Sequence, residues 1–250
     1  MLDQQHIDEF DRDGFLTVGN LLSADEVAEL SDALDQVLAK GPEGFAEGEP
    51  QPVSFRSLSG DEKHPVWQIV NIWEAMPAFE KLIYHPAIVE GISQLAGQQD
   101  LMVWHDQIQY KPAQYGGSTH WHQDAPLWPI IKPMTPVSAW IPFDDATEEN
   151  GCMRFIPGSH KLGVVEHKHL EDFRVEDEKV DYDNEICVPL TAGGCSFHHS
   201  LAMHRTDANR SPDRRIGLTV AYMNAESKYV GPQPQPEYEL VTGQHFAGGV

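Results

Sequence analysis

From Leu101 onward the chain falls into short segments, "LMVWHDQIQYKP", "VSAWIPFDD", "GCMRFIPGSH", "GGCSFHHSLAMH" and "RRIGLTVAYM". Each is aromatic or β-branched, and Gly, Pro or Asn-Gly separates one from the next, which is the pattern of an antiparallel β domain. Whatever chemistry the chain performs has to be built on such strands and the turns between them.

The first hundred residues read differently. In "LLSADEVAELSDALDQVLAK", Ser23 and Glu26 stand as a capping box ahead of apolar residues at Val27, Leu30, Leu34 and Val37 or Leu38, so a helix is expected there. A second helical zone runs from Trp73 to Leu95 and should break near Pro86, which can open a helix but not sit inside one. The expected organisation is one domain over 1–250, with a mainly helical part over 1–100 and a β core over 101–225. A highly charged insertion at 161–185, read as a solvated excursion or a lid, interrupts the core, and a Pro- and Gly-rich tail covers 226–250.

The strand-like stretch "THWHQDAPLW" places His120, His122 and Asp124 at alternate positions, on one face of a strand and able to reach one ion. One reading uses all three, as in dinuclear zinc hydrolases of the HxHxD type, which place a second histidine directly after the aspartate. Here that position is Ala125. The other takes only His122 and Asp124, with a distant histidine. Two imidazoles and one carboxylate on one face of an octahedral ion leave positions open for a cosubstrate and oxygen, the arrangement of non-haem Fe(II) oxygenases. His204 in "MHRTDANRSPDRR" can be the third ligand. Eleven residues later Arg215 opens a strand, where a fixed guanidinium can clamp the far carboxylate of 2-oxoglutarate.

At this point the chain resembles the phytanoyl-CoA dioxygenase family, through "WHQDAPLW", "VSAWIPFDDATEENGCMRFIPGSH" and "MHRTDANRSPDRR", with "DEFDRDGFLTV" near the start. The resemblance extends over nearly the whole chain. It implies a mainly β fold with flanking helices, a double-stranded β-helix or jelly roll of the cupin-like kind, and an Fe(II)- and 2-oxoglutarate-dependent dioxygenase using O2. Carried over by position, it implies that His122, Asp124 and His204 bind iron and that Arg215 pairs with 2-oxoglutarate. Gln107, Trp140 and Thr206 become cosubstrate contacts, and Trp128 a wall of the active site. Arg205 departs from the family, which commonly has glycine after the distal histidine. Related halogenases carry a small residue where Asp124 stands, so hydroxylation, desaturation or demethylation is expected instead, with succinate and CO2 as coproducts.

Other residues are assigned quieter roles. His120 is a neighbour of the site, and one of His198 and His199 should face inward as a packed or supporting histidine. Asn150, Gly151 and the run Pro157 to His160 read as turn and strand end, and Arg210 and Arg214 as partners of local carboxylates. On the substrate side the candidates are His105, Gln109, Tyr115, Trp128, Ile130 and Arg154, and no basic cluster suited to CoA phosphates lies near them.

The expected substrate is therefore a small or mid-sized organic molecule. A net charge of -22 disfavours nucleic acid and anionic membrane. Three cysteines without CxxC spacing fit reduced thiols in the cytoplasm, and a monomer or homodimer is expected. Two alternatives stand beside the oxygenase: the dinuclear zinc hydrolase using His120, His122 and Asp124, and a non-catalytic cupin-like binder.

Overall fold

The structure is a computed structural model, and it describes residues 2–59, 63–128, 131–133, 136–169, 174–175 and 178–230. The helices are α1 (Gln4–Asp13), α2 (Ala24–Lys40), α3 (Pro77–Ile83) and α4 (Pro86–Ala96). The strands are β1 (Phe15–Val18), β2 (Ser54–Ser57), β3 (Trp67–Val70), β4 (Leu101–Lys111), β5 (Thr119–His122), β6 (Ile131–Lys132), β7 (Val137–Pro142) and β8 (Met153–Phe155). They continue with β9 (His167–His169), β10 (Arg174–Val175), β11 (Ile186–Val188), β12 (Cys195–His199), β13 (His204–Thr206), β14 (Arg215–Asn224) and β15 (Lys228–Tyr229).

Two antiparallel sheets form the jelly roll. The larger runs β1-β12-β7-β14-β4-β3-β2 and the smaller β11-β8-β13-β5. Alternation along β14 decides what each face does. Ile216, Leu218, Val220 and Tyr222 turn to the helices and join their apolar cluster, which includes Leu34, Val37, Phe79, Ile83 and Ile88. Tyr222 also donates its hydroxyl to the carbonyl of Ile83 at 2.7 Å, tying the end of α3 to the sheet. Arg215, Gly217 and Thr219 therefore face the opposite way, toward the smaller sheet. Between the sheets Phe15, Trp140, Met153, Phe155 and Val188 form a second apolar cluster, with the Phe15 and Phe155 rings stacked at 4.4 Å.

α2 begins at the expected capping box: Ser23 Oγ accepts from the Glu26 amide, and Glu26 accepts from the Ser23 amide at 2.9 Å. Val27, Leu30, Leu34 and Val37 are buried, and Pro86 occupies the first turn of α4. The first hundred residues, however, also supply three strands to the larger sheet. β1 borders β12 at one edge, and β2 and β3 extend the other beyond β4. Each is only four residues long, so no alternation accumulates in the sequence, and their pairing is imposed by long-range contacts.

Most described side chains of the charged insertion are exposed, and three valines anchor it to the core. Val165, Val175 and Val180 bury against Ile156 and Met203, with Trp121 and Tyr182 alongside. Part of it, 170–173 and 176–177, and the tail from 231 on lie outside the described residues. Before that point Lys228–Tyr229 pairs with Ile131–Lys132. Cys152, Cys187 and Cys195 are free thiols. Among the described residues no helix is long and apolar enough to cross a membrane.

Candidate functional site

β5 and β13 are antiparallel neighbours whose register sets His122 directly opposite His204, with ring centroids 4.1 Å apart. Asp124 follows two residues after His122, where the strand has ended in a short turn. Its Oδ1 lies 3.6 Å from Nε2 of His122 and 3.6 Å from Nε2 of His204. One donor atom from each of the three residues falls within 4.8 Å of the others, and all three side chains are buried. It is the one such group of His, Cys, Asp or Glu found among the described residues.

The backbone sets which nitrogen each imidazole offers. His122 Nδ1 lies 2.8 Å from the carbonyl of His120, and His204 Nδ1 lies 3.0 Å from that of Ala202. Both contacts require the proton on Nδ1, so Nε2 keeps a free lone pair directed at Asp124. Burial pushes His204 down to about 3, with His122 acting in the same direction, so the ring is neutral at physiological pH. Burial alone would raise Asp124, but the surrounding His204, His122 and His198 hold its carboxyl well below the ordinary range. The third of these is a side chain of the larger sheet: His198 Nε2 lies 3.2 Å from Asp124 Oδ2. Two neutral imidazoles and one ionised carboxylate are thus gathered at one point, with the carboxylate's second oxygen already held. The 3.6 Å separations are less than twice a metal–ligand bond of about 2.1 Å, so one ion can touch all three.

A second feature lies on the larger sheet. Arg215 is completely buried, and Nε, Nη1 and Nη2 all lack a hydrogen-bond partner. Burial lowers its pKa to about 10, so it stays charged. A buried, charged and unpaired guanidinium is too costly to be structural, and it calls for an anion. Around it, Trp140 places its ring 5.6 Å away. Trp140 Nε1, Ser138 Oγ and Ser196 Oγ are also buried without partners. Gly217 makes room for this tryptophan, because a Cβ there would lie 2.6 Å from the indole. Thr206, two residues beyond His204, accepts from Lys111, which stands opposite Arg215, and Gln107, opposite Thr219, lies on the same face of the larger sheet with its Oε1 accepting from Gln68. Iron and a dicarboxylic keto acid fit these residues, the first by donor set and the second by the orphaned guanidinium.

Three substrate-side candidates lie by this face of the sheet. His105 and Trp128 meet edge to face at 5.3 Å, His105 Nδ1 lacks a partner, and burial lowers the His105 pKa to about 4. Gln109 lies on the same face of β4. Tyr115 is exposed and stacks on His64 at 3.6 Å. Arg154 does not belong to the pocket: alternation along β8 turns it to the outer face, where it pairs with Asp207 at 2.7 Å, Glu148 at 2.6 Å and Glu185 at 3.2 Å. Ile130 lies outside the described residues. His120 is exposed and contributes its carbonyl rather than its ring, so the three-ligand HxHxD arrangement does not form.

Several residues that matter here are silent in the sequence. Lys111 is buried on the inner face of β4, where its Nζ donates to Thr206 Oγ1 at 2.7 Å. The one available signal was its same-face spacing from Gln107 and Gln109. Gln123, between two site residues, donates to the carbonyls of Gly163 and Leu201, both at 2.8 Å, and accepts from the Val165 amide at 3.0 Å. Ser159 of "PGSH" accepts from the Met203 amide at 2.8 Å, bracing the approach to His204. Arg214 pairs with Asp35, and His199 packs near Phe10 and His160, as supporting roles require.

The chain is similar to known proteins over most of its length. The family model for phytanoyl-CoA dioxygenase (PhyH) matches residues 10–217. An ectoine dioxygenase of Stutzerimonas stutzeri is 26% identical over 258 residues, covering 93% of this chain and 82% of the relative. A phytanoyl-CoA dioxygenase domain-containing protein 1 of Danio rerio is 27% identical over 276 residues, covering 93% and 94%. Among solved structures, the epimerase SnoN in complex with Fe3+, alpha-ketoglutarate and nogalamycin RO superposes with a TM-score of 0.76 at 25% identity, covering 93% of this chain and 92% of that one.

Proposed function

The chain belongs to the phytanoyl-CoA dioxygenase family and is a non-haem Fe(II)- and 2-oxoglutarate-dependent dioxygenase, and from that premise we propose which residues carry the activity and on what kind of substrate. His122, Asp124 and His204 hold the iron. Arg215 receives the distal carboxylate of 2-oxoglutarate, assisted by the Thr206 hydroxyl, with Trp140 and Gln107 lining the cosubstrate. The observation that carries this reading is the pairing of a buried two-histidine, one-carboxylate cluster with a buried guanidinium that has no partner.

The iron, with 2-oxoglutarate and O2, supplies oxidation of a substrate C–H bond, releasing succinate and CO2. The protein's part is to position and to exclude. Nδ1 of each ligand histidine is fixed by a carbonyl, so Nε2 is presented without reorganisation. His198 holds the free oxygen of Asp124 and restrains the carboxylate to one-oxygen binding. Asp124 fills the position that halogenases leave open, which favours hydroxylation. The edge-to-face pair His105 and Trp128 forms a wall suited to a small or mid-sized organic molecule. The relative named for ectoine supports a small substrate. Free cysteines support a reducing, cytoplasmic setting.

Anaerobic addition of 2-oxoglutarate to Fe(II)-loaded protein is expected to give a weak visible charge-transfer band, and air then to yield succinate. His204→Ala should abolish both. Metal-independent behaviour, or no succinate with a broad panel of small substrates, would overturn the reading.

A further inference from the structure

Lys111 is the one buried lysine among the described residues, and it lies beside the cosubstrate space. In the β4–β14 register it stands directly opposite Arg215, so both side chains leave the sheet on the same face. Its Nζ has two acceptors, Thr206 Oγ1 at 2.7 Å and the Asp207 carbonyl at 2.6 Å. The chain closes over it at Gly151, where a Cβ would lie 3.5 Å from Nζ. We propose that Lys111 is a second cation for the distal carboxylate of 2-oxoglutarate, and that cosubstrate binding is coupled to proton uptake at its amine. This rests on the cosubstrate pocket assigned above.

A neutral lysine amine has two N–H donors, and Thr206 and Asp207 accept both. An ammonium has a third donor that needs an acceptor, and among the described residues Nζ has only these two. The charged groups facing Lys111 do not supply one. From β14 comes Arg215, of like charge. From the segment after β13 comes Asp207, but its carboxylate is turned outward to Arg154 and Arg205. Cys152 and Asp144 act on Arg215 and not on Lys111. Burial, then repulsion from Arg215, lowers the Lys111 pKa to about 6, with Asp207 opposing. A carboxylate arriving between Arg215 and Thr206 reverses this environment. It accepts the third N–H and offsets the neighbouring charge, so the amine takes a proton from solvent and becomes an ammonium.

Isothermal calorimetry on Mn(II)-loaded protein, which binds 2-oxoglutarate without turnover, tests this at pH 7.5 in two buffers of different ionisation enthalpy. The expected result is uptake of close to one proton per 2-oxoglutarate, and a Kd that rises by up to about tenfold per pH unit between pH 7 and 8.5. Lys111→Met should bind with no proton uptake and a Kd nearly independent of pH, converging with the parent protein at the alkaline end. The parent measurement stands alone if that variant fails to fold. Binding without proton exchange, or unchanged uptake in Lys111→Met, overturns the proposal while leaving the cosubstrate pocket intact. Absence of any 2-oxoglutarate binding overturns the pocket itself, and this proposal with it.

Discussion

His198, on the larger sheet, reaches across the jelly roll to place its Nε2 3.2 Å from Oδ2 of Asp124. The two sheets therefore meet at the oxygen that the ion does not need. Removing such a support commonly weakens metal binding 10- to 100-fold. His198→Phe keeps a buried ring while deleting the contact, and we expect iron affinity to fall about 10- to 100-fold in a competition titration. Unchanged affinity would mean that the turn at Ala125–Leu127 alone holds Asp124.

The role proposed for Arg215 makes a separable prediction, because it assigns the guanidinium to the cosubstrate and not to the ion. Arg215→Ala should raise the Kd for 2-oxoglutarate by about 100-fold, roughly 2.7 kcal/mol, as expected for losing a charge-assisted bidentate pair. Iron occupancy, measured on the same preparation, should stay near the parent value. Loss of both together would place Arg215 in the fold rather than in binding.

The indole of Trp140 occupies the space that Gly217 leaves, with Cβ-to-ring distances that a methyl group cannot satisfy. Gly217→Ala should thus cost about 1–3 kcal/mol of stability by overpacking. It should also weaken 2-oxoglutarate binding by tilting Trp140 away from Arg215. A thermal melt and a cosubstrate titration check the two effects, and full retention of both would show that the ring moves freely.

The convergence of His122, Asp124 and His204 was legible in the sequence because His122 and Asp124 announce it locally and His204 is tied to Arg215 by a fixed interval within one strand-turn-strand unit. The core helices were legible for a similar reason, since caps and apolar period are local signals. β1, β2 and β3 were not, because four residues cannot display a period and their partners lie far along the chain. Lys111 and Gln123 were missed for another reason. A lysine in a strand ordinarily marks an exposed position, and a glutamine between two ligands ordinarily faces solvent. Only the three-dimensional fold buries the first beside Thr206 and the second under the insertion. Arg154 fails in the opposite direction: nearness to the motifs suggested the pocket, and alternation along β8 turned it outward.

Gln123 links the site to the charged insertion through hydrogen bonds to Gly163 and Val165, and a third bond ties it to Leu201. Gln123→Ala leaves those backbone groups unsatisfied at a cost of about 2–3 kcal/mol. Hydrogen exchange at Val165 and cleavage by trypsin at Lys161 should both accelerate. Identical rates would show that Val165, Val175 and Val180 suffice to hold the segment.

Acid should destabilise the metal-free protein in a defined window. His105 and His199 both have pKa values lowered to about 4, chiefly by burial, against 6.5 for an exposed imidazole. Between those values the unfolded chain binds protons that the folded chain refuses, so the stability is fully present above pH 6.5 and is lost as pH falls toward 4. Each histidine contributes a slope of up to about 1.4 kcal/mol per pH unit within the window. Urea midpoints measured from pH 7 to 4.5 should therefore fall steadily. His105→Asn, which cannot ionise, should lessen the slope by one proton's share while His199 and His204 retain theirs. The Asp106 carboxyl, raised well above its ordinary value by burial, acts with the opposite sign, so the difference in slope between the parent and His105→Asn is the readout, and no difference would mean that His105 is protonated within the fold.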